Sequence, residues 1–322
     1  MSNPVPIEAT AGDPVVLETL LDVLPSSNQA ATVTGWARWQ RGEVGPTEFV
    51  ELSARVDEGG LLAELNLMSN QLDLAAFKTL EASSATSGFR RRMTQVHEGV
   101  AGSLLAHRLL DDVPILLRVS GQARLVEHPA LPALAPLAPL TVRGTEVPGA
   151  DQCEGWRADG TMVQRIINRG GNLTMALGEA VQPDAAHWSD QPALPAMATR
   201  RRRRVEVDRH ADGHKHARTY FRDSYADPDG VERGLHSYHL QTDVTADGVI
   251  EDIDAIGVIL PWPECWQAAG SATALAGVSL ATVDNTARTT LVGLGTCTHL
   301  TDTLRTLGDI ALLSRGNLEG SK

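Results

Sequence analysis

Apolar and polar positions alternate with a period of two along several stretches of the chain. Thr32–Gln40, Phe49–Val56 and Leu61–Leu67 follow this pattern, and a Glu58-Gly59-Gly60 turn separates the last two. They predict antiparallel strands. Val205–Asp208, His214–Arg222, His236–Thr245 and Val249–Leu260 repeat the pattern later in the chain, with turns at Ala211-Asp212-Gly213, Asp227-Pro228-Asp229-Gly230 and Ala246-Asp247-Gly248. Three- and four-residue spacing replaces alternation elsewhere. Val15–Leu24, Leu74–Leu80, Met93–Leu110, Cys265–Leu280 and Asp284–Val292 read as helical, and Ile115–Val119 closes the first unit. Leu300, Leu304, Leu307 and Ile310 form one apolar helix face directly after Cys297 and His299.

The two sets of strands share an order. Val56–Leu65 can be laid on Val244–Ile253 without a gap, with Gly60 on Gly248, and Gly102–Leu110 can be laid on Cys297–Arg305. The expected architecture is therefore α+β: two similar units from an internal duplication, each an antiparallel sheet with packed helices. A first unit, 1–127, has Gly102 where the second has Cys297 and so lacks a thiol site. A Pro/Ala-rich linker and an irregular middle segment fill 128–199, and 200–322 carries the chemistry. Trp156, Ile166, Ile167 and Trp188 need a surface to cover, so the middle segment is expected to close over the second unit as a lid.

Composition narrows the classes. Hydrophobic residues make up 42% and charged residues 21%, which predicts a folded core. No run of eighteen apolar residues predicts a membrane span, and no basic, apolar leader opens the chain. Three cysteines suit reduced thiols in a cytoplasmic protein better than a disulfide framework. A net charge of −12 argues against nucleic-acid binding. Arg200–Arg204 runs against this balance; it reads either as an anion site or as a solvated basic stretch.

Candidate chemistry gathers in the second unit. A thiol at a helix start is favoured as thiolate, and Cys297 stands there with His299 two residues on. Cys265 and His236 complete a sulfur and nitrogen set suited to zinc, with iron as the other choice. His299 is a fourth ligand or a base. A metal-free reading keeps Cys297 as nucleophile with His299 or His236 as base. Asp302 either orients a histidine or is a helix-face charge. His214 and His216 share a strand face, while His239 points away from His236. Cys153 is either a strap residue or a buried thiol. Arg157 and Arg169 in the middle segment are candidates to hold an anionic substrate group.

The Asp212-Gly213 turn, His236, the PWPEC segment and CTHL at Cys297–Leu300 together resemble the bacterial domain of unknown function numbered 2889, over the C-terminal half. Leu240–Val258 followed by Cys265 and Cys297 also resembles iron–sulfur scaffold proteins of the IscU, NifU and SufU kind. Carried over, Cys265 and Cys297 match two scaffold cysteines, Gly234 stands at the first, and His236 stands at the scaffold aspartate. That departure implies a mononuclear site rather than a cluster. The expected function is a metal-dependent lyase or hydrolase acting on a small organic molecule, with His236, Cys265 and Cys297 as ligands and Cys297 and His299 in the chemistry. The alternatives are a zinc or iron–sulfur binding module without turnover, a metal-free Cys/His enzyme, and an inert structural protein.

Overall fold

The computed structural model describes residues 13–25, 30–42, 47–100, 102–127, 146–182, 184, 187–189 and 191–314. Residues 128–145 of the Pro/Ala-rich stretch lie outside the described residues. The eight strands are β1 Val15–Pro25, β2 Ala31–Arg41, β3 Thr47–Val56, β4 Leu62–Ser69, β5 Thr199–Arg209, β6 Lys215–Ala226, β7 Glu232–Val244 and β8 Ile250–Ile259. They form one antiparallel sheet in the order β4-β3-β2-β1-β5-β6-β7-β8. Each half is a four-stranded meander, and the first strands of the two meanders pair at the centre, Leu17 opposite Val205 and Leu21 opposite Arg201.

Val15–Leu24 is thus a central strand, not the helix its apolar run suggested. Val15, Leu17, Leu21 and Val23 point into the main core. The intervening Glu18 and Asp22 face the other side and are buried against arginines, Glu18 on Arg38 at 2.7 Å and Asp22 on Arg200 at 2.7 Å. A strand buried on both faces loses the polar alternation that would have marked it.

Helices cover one face of the sheet. The first half supplies α1 Phe89–Glu98 and α2 Leu104–Val119. The expected single helix over Met93–Leu110 breaks at Gly102, whose φ of +75° suits glycine. The second half supplies a 3-10 helix at Pro263–Leu275, within the stretch expected to be helical, then α4 Val283–Thr290, α5 Thr298–Leu304 and α6 Asp309–Leu313. The middle segment contributes α3 Thr161–Asn168. None of the described helices is long and apolar enough to cross a membrane.

The arginine run is neither an anion site nor a solvated stretch. It lies within the first half of β5, and its side chains alternate between the two faces. Arg201 and Arg203 project under the helices with Val205 and Val207. Arg201 binds Asp223 through Nε and Nη2, both at 2.8 Å, and reaches Asp112 at 3.0 Å and Asp302 at 2.8 Å through Nη1. Arg203 bonds Asp112 and Thr306, each at 3.1 Å or less. Asp302 also accepts from Arg90 at 2.8 Å and Arg305 at 2.7 Å. Burial alone would raise its pKa, but Arg90, Arg201, Arg305 and Arg203 outweigh that and hold it well below the usual carboxylate range. Asp302 is therefore a buried hub between the halves rather than a solvated helix-face charge.

Candidate functional site

Strand register sets the base of the site. Asp223 on β6 lies directly opposite His236 on β7, and Phe221 opposite Tyr238. A bulge leaves Leu235 between the paired Gly234 and His236, and a second bulge on the β8 side sits between Ser237 and Tyr238. Such irregularities re-aim side chains beside functional sites. Here they present His236 and Tyr238 to the start of α5. His239 falls on the other face, as the alternation requires, beside His187 and Tyr220. His214 and His216 sit outside the site, next to Asp212 and Asp243.

Cys297 occupies the cap position of α5, after a loop with positive φ at Gly293 and Gly295. One donor atom each from His236, Cys297 and His299 lies within 4.8 Å of the other two. The two imidazoles stack, with ring centroids 3.7 Å apart and planes 15° from parallel. His236 Nδ1 and His299 Nε2 are buried without a hydrogen-bond partner. Asp223 approaches His299 Nε2 at 3.6 Å while its oxygens serve Arg201. Burial first, and Arg201 second, pushes His299 down to about 3, and burial with the neighbouring His299 holds His236 well below its usual value. Both shifts favour the neutral imidazole, the state that binds metals.

The Cys297 thiol is raised by burial. The Tyr238 hydroxyl and the backbone N–H groups of Leu300 and His299 act in the opposite sense. The Tyr238 hydroxyl faces the sulfur without forming a hydrogen bond of regular geometry. Cys265 lines the same cavity but lies outside the close trio; burial and Cys297 push its thiol up to about 12. Two of the three expected ligands thus stand together, and His299 takes the third place.

The middle segment covers this site. Trp156, Met162, Ile166, Ile167 and Met175 gather with Leu235, Trp262 and Cys265 in a second apolar core. Two polar clamps hold the cover to the cysteine loops. Glu154, 2% exposed, accepts from Gly295 N–H at 2.6 Å and donates its own N–H to Thr296 O at 2.8 Å. Thr161 donates through N–H and hydroxyl, both at 2.8 Å, to Glu264. Cys153 comes with the cover and also faces the cavity. Sequence reasoning misses Glu154 and Glu264 because each is an ordinary acid until its partner loop is in place. Trp188 does not join the cover. It lies on the opposite sheet face between Arg202 and Arg222, 5.8 and 5.6 Å from its ring. Arg157 and Arg169 do not line the cavity: Arg157 pairs with Glu154 and Asp159, and Arg169 with Glu127.

The fit of cover to floor is tight at Gly155. A Cβ there would lie 2.6 Å from Cys265 Sγ. Gly155→Val is expected to lift the cover at a cost of about 1–3 kcal/mol. It should be cut several times faster by protease within residues 146–182, and its Cys265 should react faster with a thiol reagent. Unchanged rates would show that the segment yields without opening.

Residues 199–313 match the family model described as "Protein of unknown function (DUF2889)". The match begins at the first residue of β5 and ends at the last residue of α6. It holds His236, Cys265, Cys297 and His299 but neither Cys153 nor the cover. No curated protein matches the chain. A solved structure titled "Crystal structure of lipopolysaccharide binding protein" is similar at 8% identity over 76% of this chain and 68% of that one. Its TM-score of 0.12 is too low to carry an argument. The resemblance to iron–sulfur scaffolds finds no support: its strands are half of an eight-stranded sheet, and Cys265 stands apart from the close donors.

Proposed function

We propose that this protein is a metal-dependent enzyme that acts on a small organic molecule by lyase or hydrolase chemistry. His236, Cys297 and His299 would hold one soft divalent ion, with zinc the best match to two imidazoles and one thiolate. The observation that carries this is the convergence of three such donors within 4.8 Å at the wall of a covered cavity, with buried ring nitrogens on both histidines lacking a hydrogen-bond partner. Buried polar groups without partners are uncommon, and a ligated ion would satisfy them. Zinc held by three protein donors keeps one position for substrate or water and supplies Lewis acidity. The apolar cover would exclude bulk water.

The test is elemental analysis of the purified full-length protein, followed by zinc titration of the metal-free form. One equivalent bound per chain is expected. A folded protein that takes up neither zinc, cobalt nor ferrous iron at stoichiometric level would end this reading and leave a metal-free Cys/His enzyme. Cobalt substitution separates enzyme from static binding module: absorption of a site with one thiolate and an exchangeable position favours the enzyme.

We also infer that the two meanders are copies of one unit. Val56–Leu65 and Val244–Ile253 both span the turn between a third and a fourth strand, with Gly60 and Gly248 at positive φ. Both hairpins carry a register shift at the same place, Arg55/Val56 and Asp243/Val244. The β6–β7 bulge at the site has no counterpart in the continuous β2–β3 pairing.

A further inference from the structure

The cavity beside the Cys/His trio has a volume of about 360 Å³. At ~30 Å³ per water-sized group, it holds a molecule of about a dozen non-hydrogen atoms. Its wall is apolar and largely aromatic or sulfur-bearing, with Trp156, Met162, Leu173, Met175, Leu235 and Trp262. Such walls bind an apolar or aromatic body, and methionines adapt to its outline.

Charge on the wall is one-sided. The chain has 40 acidic residues, yet among the described residues no carboxylate lines this cavity. Arg118 lines it, and so do Gln122 and Gln152. Arg118 and Gln122 are four residues apart, Arg118 near the C-terminal end of α2 and Gln122 just beyond it. Arg118 is exposed, so its guanidinium stands where the wall meets solvent. The cavity thus has a thiol and imidazole end, an apolar waist and a cationic rim.

We infer that the ligand of this cavity is a compact apolar monocarboxylic acid, its carboxylate at Arg118 and its body between Trp156 and Trp262, so that its far end reaches Cys297 and His299. The inference rests on the proposed enzyme reading for what happens at that far end, but the binding preference does not require a metal. An amine would meet the cationic rim without any carboxylate to pair with it. A small dicarboxylate would leave one charge against the apolar waist at a large desolvation cost.

The experiment is calorimetric titration of the full-length protein, metal-free and zinc-loaded, with four probes: 3-phenylpropanoate, 3-phenylpropanamide, 3-phenylpropylamine and succinate. The acid is expected to bind about tenfold tighter than its amide, in line with a charge-assisted contact at a solvent-exposed rim. The amine and succinate are expected to give no heat at the same concentrations. Arg118→Gln, an exposed and structurally mild change, should erase the preference for acid over amide while leaving amide binding intact. The inference is overturned if the amine or succinate binds as tightly as the acid, if the acid binds neither form, or if Arg118→Gln leaves the preference unchanged. Loss of acid binding with zinc uptake intact would remove the substrate class alone. Acid binding without zinc uptake would remove the metal reading alone.

Discussion

Arg201→Met is expected to cost about 3–5 kcal/mol of stability, enough to unfold many domains of this size. Arg201 is 1% exposed and pairs with three carboxylates, Asp112 from α2, Asp223 from β6 and Asp302 from α5. Methionine fills a similar volume but supplies no donors, so the acids would be left facing one another in a low-dielectric interior. The cost of burying an unpaired charge outweighs what the ion pair itself contributes, and it sets the size of the loss. Arg201→Lys should recover only part of the loss, because one ammonium cannot reproduce the fork to Asp223. Asp302 has its pKa depressed in the folded state. Its contribution is present in full above the unfolded carboxylate pKa and is lost as pH falls from there through the depressed folded value. Urea denaturation at pH 7 measures the first effect; a midpoint shift worth less than about 1 kcal/mol would mean that water or rearrangement satisfies the acids.

Cys297→Ala is expected to weaken zinc binding by about a hundredfold or more, while Cys265→Ser weakens it less than about tenfold. The first removes one of three close donors. The second removes a thiol that shares the cavity but lies outside the trio. Changes to groups that only support a metal ligand cost about 10–100-fold, so loss of a ligand should exceed that range. Competition with a chromogenic chelator reads both affinities on folded protein, checked by circular dichroism. Equal losses in the two variants would restore Cys265 as a ligand and overturn the three-donor arrangement.

The strands outside the centre are legible in the sequence because one face of each is solvated. β2, β3 and β4 alternate, and glycine turns bound the hairpins. Central strand β1 hides its period because its outward face is also buried and sets Val16 and Leu20 among Glu18 and Asp22. Cys297 and His299 are legible as a pair at a helix start, since that geometry is local. His236 is legible through strand period and motif, although nothing local says that it meets His299 ring to ring. Spacing overvalues Cys265, because separation along the chain sets no distance across a cavity.

Local pattern is enough to mark seven of the eight strands, a helix after Cys297 and a candidate Cys/His set in the second half. These depend on short-range period, turn chemistry and capping, which each segment carries within itself. Long-range packing is what joins the meanders into one sheet and makes Arg200–Arg204 part of its central strand. Five arginines look like a solvated surface until Asp22, Asp112, Asp223 and Asp302 arrive from four separate segments to pair with Arg200, Arg201 and Arg203. Packing also selects which donors stand together and what covers them. Gly155 against Cys265 and Glu154 against Gly295 are contacts between residues more than a hundred positions apart. Their complementarity is a property of the packed surfaces, and no periodicity along the chain records it.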